Sequence, residues 1–301
     1  MSARLQLLNL ALRATVKLRL HLLRRPIEAR REFELFAGFA LHPPAHLVVL
    51  PEDAGTPRLT WVWAGPTATR RVVLYFHGGG YVAGSPFTHR GLAGRLSRLS
   101  GLRFVLPAYR LAPEHPLPAA MEDARAAWDA LRARGYRPGD IALAGDSAGG
   151  GIALSLLADL CAKGTRPAGV LLMSPFTDLT GSGPSLRKNA RVDPMLPAGR
   201  LDFLRRLVLN GLPAEDPRLS PLFADYRMPP PMLFQVSRSE ILRDDTLRLS
   251  RRLQAEGAPV ELREWSRTPH VWQLFDPWLP EARAALGQGA AFLKAVLSPR
   301  P

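Results

Sequence analysis

The chain has 301 residues, 47% of them apolar, enough for one large domain with a sizeable core. Its formal charge is +14, but the 40 basic residues are four lysines and 36 arginines dispersed along the chain. No nucleic-acid motif accompanies them, so the excess reads as compositional and a nucleic-acid partner is excluded. A single cysteine, Cys161, excludes an intrachain disulfide. Neither zinc-ligand spacing nor a phosphate-cradling Gly-Lys-Ser/Thr loop occurs, so no metal and no cofactor are expected.

In residues 1–42, Leu5, Leu7, Leu8, Leu10, Leu12, Val16, Leu18, Leu20, Leu22 and Leu23 interleave with Arg4, Arg13, Lys17, Arg19, Arg24 and Arg25. Charges recur too often for a secretory signal, and no run reaches the ~18 apolar residues of a membrane span. A cytoplasmic location is the expectation. Two amphipathic readings stay open: a lid folded over a site, or a helix making a peripheral membrane contact. Under the lid reading, Phe33, Phe36 and Phe39 at three-residue spacing would wall a substrate pocket.

Further along, short apolar runs alternate with helical patterns. Strands are expected near 46–51, 58–63, 71–76, 102–107, 140–145, 168–173, 231–237 and 259–265. Helices are expected over 88–99, 117–134, 148–163, 196–210, 245–256 and 281–297. This order predicts an α/β fold with a mostly parallel eight-stranded sheet flanked by helices. The 29 prolines cluster in connections such as Arg110 to Pro118, as loop punctuation should.

Two glycine-rich motifs sit at strand ends. His77-Gly78-Gly79-Gly80 follows the strand at 71–76, and a triglycine lets the backbone approach a substrate without Cβ atoms. Gly145-Asp146-Ser147-Ala148-Gly149-Gly150 follows the strand at 140–145 and opens a helix. It has the Gly-x-Ser-x-Gly form of a nucleophile elbow, a tight strand-to-helix turn that presents the serine hydroxyl. Glycines on either side avoid a clash with the crossing backbone. Together the motifs supply a nucleophile, Ser147, and an oxyanion hole built from the N–H groups of Gly79, Gly80 and Ala148.

A nucleophilic serine needs a base and an orienting acid. Of seven histidines, His270 alone follows a late strand on a loop, after the acid candidates; His115 precedes the serine in a Pro-rich loop. For the acid, Glu240 comes first after the strand at 231–237. Asp244 is the alternative, although Asp244 and Asp245 fall where the next helix begins, a natural place for N-terminal carboxylates.

These segments resemble the hormone-sensitive-lipase-like family of α/β-hydrolases, the bacterial family IV esterases. His77-Gly78-Gly79-Gly80-Tyr81 and Gly145-Asp146-Ser147-Ala148-Gly149-Gly150 match its two glycine motifs. Tyr109-Arg110-Leu111-Ala112-Pro113-Glu114-His115-Pro116 and Ser174-Pro175-Phe176-Thr177-Asp178-Leu179 fit two of its connecting segments. The family's Asp-Pro-Leu-x-Asp reads Glu240-Ile241-Leu242-Arg243-Asp244 here, placing a glutamate at the acid position. The resemblance implies an α/β-hydrolase fold with a helical cap made by about 1–42 and 180–213. It also implies carboxylic esters of short to medium acyl chain as substrates, cleaved by Ser147, His270 and Glu240 through an acyl-enzyme. A lactonase, an amidase or arylacetamide deacetylase, and a non-catalytic ligand-binding protein are the alternatives on this fold. Besides a small-molecule ester, a homodimer partner stays open.

Overall fold

The computed structural model describes residues 2–23, 25–53, 55–67 and 70–298; Arg24 of the leading basic pattern lies outside them. Eight strands form one sheet: β1 (Leu47–Glu52), β2 (Arg58–Ala64), β3 (Val72–Phe76), β4 (Arg103–Ala108), β5 (Ile141–Asp146), β6 (Val170–Met173), β7 (Met232–Ser237) and β8 (Val260–Trp265). Their order is β1-β2-β4-β3-β5-β6-β7-β8, with β2 antiparallel to both neighbours and the rest of the ladder parallel. All eight fall within two residues of their expected bounds.

The central strands β3, β5, β6 and β7 are buried at every position, as a parallel sheet covered on both faces requires. One face carries α4 (Pro86–Ser100) and α10 (Pro280–Val296), whose Leu92, Leu96, Leu286 and Leu293 share a core with Val73, Tyr75 and Leu171. The other carries α5 (Ala119–Ala133), α6 (Ala148–Ala162) and α9 (Arg243–Ala255), packing Trp128, Ile152 and Leu249 against Leu74, Leu143 and Phe234. Local signals set the ends of α4. Ser85 and Thr88 form a reciprocal capping box, Pro86 occupies the first turn, and Gly101 closes the helix at φ 70°.

The N-terminal segment folds as α1 (Ala3–Leu12), a π turn (Arg13–Lys17), α2 (Leu18–Leu22) and α3 (Pro26–Ala40). The short α7 (Ser185–Lys188) and α8 (Leu201–Leu209) lie in the segment after β6. The single helix expected over 196–210 is instead a 3₁₀ turn, Ala198–Arg200, leading into α8. Pro197 and Gly199 explain the difference, since neither favours a helix interior.

Candidate active site

The carboxyl ends of β3, β5, β6, β7 and β8 all point to one edge of the sheet, where open α/β folds place their ligands. β5 ends at Asp146, and Ser147 follows with φ 51° and ψ −124° before α6 begins at Ala148. Such a conformation costs a non-glycine residue about 1–3 kcal/mol, so the surroundings must impose it. The Ser147 N–H donates to the Met173 carbonyl and its own carbonyl accepts from the Phe176 N–H, both at 2.9 Å. The flanking glycines are needed for close approach. A Cβ on Gly145 would lie 2.4 Å from the Gly149 carbonyl oxygen, and one on Gly149 would lie 2.1 Å from that of Phe76.

The triglycine loop lies beside this turn. Gly79 has φ 124°, and a Cβ there would fall 2.1 Å from the Ala83 carbonyl oxygen. Among the described residues, neither Gly79 nor Gly80 donates its N–H to a protein acceptor. Ala148 opens α6, where the first N–H groups have no intrahelical partner.

Asp146 fastens the two motifs to each other. Its Oδ1 accepts from the Gly78 N–H at 3.0 Å and from the Tyr75 hydroxyl at 2.6 Å, and the buried His89 ring lies 3.3 Å away. Burial would raise the carboxyl pKa, but His89 and the Tyr75 hydrogen bond outweigh it and hold the group below the usual carboxylate range. His77 stacks on Tyr109 at 4.2 Å, and burial together with His89 pushes its pKa down to about 3. A neutral, packed ring fits a structural part of the loop better than a proton carrier.

The His270 Nδ1 and Glu240 Oε2 are 2.5 Å apart, and both side chains are buried. The other carboxylate oxygen of Glu240 accepts from the Ser237 N–H at 2.7 Å and the Ser174 hydroxyl at 2.9 Å. Burial disfavours the imidazolium, but the hydrogen bond and charge of Glu240 overcome this and raise the His270 pKa above its ordinary value. Asp244 does not join this group. Its carboxylate accepts from the Ser185 N–H at 2.6 Å, and its own N–H donates to the Ser185 hydroxyl at 2.9 Å. The helix N-terminus that Asp244 caps is therefore that of α7, while within α9 it is a first-turn residue. Asp245 accepts from the Thr177 and Asp178 N–H groups and is pushed up to about 8, chiefly by burial.

Sequence reasoning missed the carboxylate of Asp193. It is fully buried and accepts from the Met195, Leu196 and Ile241 N–H groups at 2.8–2.9 Å. Burial raises its pKa more than these bonds lower it. Asn189 donates to the carbonyls of Arg238 and Glu240 at 3.0 and 2.8 Å. The stretch 189–196 thus holds the backbone on either side of the Glu240 carboxylate. An Asp-Pro pair at 193–194 was the only signal in the sequence, and it reads equally well as a turn.

Ser147, Gly78, Gly79, Gly80 and His270 line one cavity of about 550 Å³. Its walls are apolar: Leu12, Val16, Leu20 and Leu23 from the N-terminal helices, Phe33 and Phe36 from α3, and Met195, Phe203, Leu204 and Leu207 from the segment after β6. Phe39 departs from the expected aromatic wall, lying on the surface 84% exposed. Helix geometry explains it. Three-residue steps slip by about 60° each against a 3.6-residue turn, so by Phe39 the row has rotated away from the cavity.

Comparison with known proteins bears on the family and the fold. Residues 73–274 match the α/β-hydrolase-fold family. An acetyl-hydrolase of Streptomyces hygroscopicus is 36% identical over 272 residues, covering 90% of this chain and 89% of that protein. The carboxylesterase/phospholipase LipF of Mycobacterium tuberculosis is 37% identical over 232 residues, 74% of this chain and 62% of the relative. The crystal structure of an esterase from the bacterial hormone-sensitive lipase family superposes over 99% of both chains with a TM-score of 0.92 and 36% identity. The chain belongs to the hormone-sensitive-lipase-like family of α/β-hydrolases. It is a serine hydrolase of the carboxylic ester class.

Proposed function

We propose a cofactor-free carboxylesterase that hydrolyses esters of short to medium acyl chain through Ser147, His270 and Glu240. The reading rests above all on the 2.5 Å contact between His270 and Glu240 beside a cavity that Ser147 and the triglycine loop also line. His270, held by Glu240, takes the Ser147 proton as the hydroxyl attacks the ester carbonyl. Gly79, Gly80 and Ala148 donate to the oxyanion as it forms. His270 passes the proton to the departing alcohol, leaving an acyl-serine. It then activates the water that releases the acid and regenerates Ser147.

Residues 1–42 and 180–213 act as the cap over this site. Supporting that division, Lys17 donates to the Ala190 and Asp193 carbonyls at 2.8 and 2.6 Å, and Arg13 donates to the Val192 carbonyl at 2.9 Å. Both segments contribute walls to the cavity, whose size suits a confined acyl chain. A related esterase whose crystal was soaked with p-nitrophenyl butyrate, 33% identical with a TM-score of 0.92 over 99% of this chain and 100% of that chain, points to the same substrate range.

A panel of p-nitrophenyl esters from acetate to palmitate, with lactones and anilides, tests the reading. Rates should peak among the short and medium acyl esters, and a phosphonate ester should label Ser147 alone. Anilides cleaved faster than every ester would replace the carboxylesterase reading with an amidase.

A further inference from the structure

α1, the π turn and α2 form a continuous helical rod with two apolar faces. Leu12, Val16, Leu20 and Leu23 turn inward to the cavity. Leu7, Leu10, Leu18 and Leu22 turn outward, each 52–67% exposed. α3, joined to α2 by the Arg19–Glu32 ion pair at 2.7 Å, repeats this with exposed Ile27 and Phe39, and exposes Leu35 at the rim of the cavity. Among the described residues, ten large apolar side chains are more than half exposed: these seven, together with Leu50, Met228 and Trp278. Such crowding into the first forty residues marks a face, since scattered single exposures are the norm elsewhere on protein surfaces.

The charge on this segment indicates what covers the face. Residues 2–25 carry Arg4, Arg13, Lys17, Arg19, Arg24 and Arg25 and no acidic residue. Among the described basic side chains of that stretch, only Arg19 has a carboxylate partner. Arg4, Arg13 and Lys17 donate to backbone carbonyls, which leaves their charges uncompensated. A second copy packed on this face would bring two such cationic rods together and be repelled. Lipid phosphates would neutralise the arginines while the leucines enter the acyl boundary, with the long arginine stems reaching back to the headgroups.

We propose that the outer face of the α1–α2 rod, with Ile27 and Phe39 of α3 beside it, docks on an anionic lipid surface. The rod lies flat, since its charges forbid a span. Its inner face meanwhile walls the cavity, so a single helix, about 10–12 Å across, separates the lipid from the substrate pocket. The lid and membrane-surface readings of this segment then describe opposite faces of one helix.

Co-sedimentation of the full-length protein with vesicles tests this, using phosphatidylcholine alone and phosphatidylcholine mixed with phosphatidylglycerol. Binding should require phosphatidylglycerol, weaken as salt is raised, and fall at least about tenfold in Leu7→Gln/Leu10→Gln/Leu18→Gln/Leu22→Gln. The quadruple variant should keep the wild-type melting temperature within a few degrees and the wild-type rate on a water-soluble p-nitrophenyl ester, showing that the cavity face is intact. A second variant, Arg4→Gln/Arg13→Gln, should lose affinity for the anionic vesicles with its leucines in place. Failure of the wild type to bind phosphatidylglycerol vesicles overturns the proposal, as does equal binding by the quadruple variant. A wild-type dimer in sedimentation equilibrium that the leucine substitutions dissociate, without vesicle binding, would assign the face to a second copy instead.

Discussion

The Ser147 turn and the proposed cap meet across one cavity but are built by different means. Around Ser147, positions are dictated by backbone: a strained φ of 51°, two glycines with no room for a Cβ, and Asp146 fastening one loop to the other. In the proposed cap, the apolar cavity walls are leucines, phenylalanines, a valine and a methionine whose identity matters mainly through volume. Backbone-dictated sites tolerate almost no substitution and leave recognisable residue patterns. Volume-dictated surfaces accept many sequences and leave almost none. If this contrast is right, mutations beneath the cavity should abolish chemistry, whereas mutations above it should redistribute selectivity.

Ser147→Ala should have the largest effect, a loss of about 10⁴-fold or more in kcat/KM with an unchanged melting temperature, since the acyl-enzyme route has no other nucleophile. Steady-state kinetics on the best p-nitrophenyl ester check it. Retention of a tenth of the wild-type rate would remove Ser147 from the mechanism.

Glu240→Gln comes next, with kcat down about 10³- to 10⁴-fold, because an amide neither stabilises the imidazolium nor fixes the tautomer as a carboxylate does. Asp244→Asn should cost about 1 kcal/mol in stability through its Ser185 contact and little rate. The pH profile adds a signed test. His270 must be neutral to accept the serine proton, and Glu240 raises its pKa, so wild-type activity should fall with decreasing pH through a value above the ordinary imidazole range. Removing the carboxylate charge leaves burial as the main influence, and the acid limb of the residual activity should move to lower pH. A limb that stays in place would separate Glu240 from His270.

The same contrast explains what could be read from the chain. All eight strands were legible because the buried ones are unbroken apolar runs, Val72 to Phe76 and Ile141 to Ala144 among them, bounded by glycine and polar turns. As candidates, Ser147, His270 and the triglycine stand out in the sequence because the chemistry proposed for them restricts residue type. Glu240 required register against a neighbouring strand end, and only the 2.5 Å contact with His270 separates it in space from Asp244. Phe39 was misplaced because a three-residue repeat approximates a helical face for only about two turns. Asp193 was illegible: its partners Met195, Leu196 and Ile241 contribute backbone N–H groups, which no residue type encodes.

Asp193 lies between the two regions and tests whether they are independent. Its carboxylate ties the proposed cap segment at Met195 and Leu196 to Ile241, one residue beyond Glu240. In Asp193→Asn, one side-chain oxygen can still serve the cap N–H groups, but an NH₂ would confront the Ile241 N–H donor. The Glu240 loop should loosen, lowering kcat by about ten- to a hundredfold with KM nearly unchanged, as displacement of a positioned catalytic group does. A melting-temperature loss with kcat intact would make Asp193 a fold residue only.

The smallest effect should come from within the cap, and it sharpens the contrast because both residues lie on one helix. Phe36 lines the cavity and meets Phe275 edge-on at 6.5 Å between centroids, whereas Phe39, three residues later, faces solvent. Phe36→Ala vacates space at the apolar wall, so longer acyl chains should gain on shorter ones. A pocket change of a few methylenes alters the ratio of kcat/KM values by about ten- to a hundredfold at most. Phe39→Ala touches no wall and should leave that ratio unchanged. Measuring kcat/KM for butyrate and decanoate esters in both variants distinguishes a cavity-facing from a solvent-facing role. A shift in acyl preference from Phe39→Ala as large as that from Phe36→Ala would mean that selectivity is set by how the whole cap sits, not by the side chains that line the cavity.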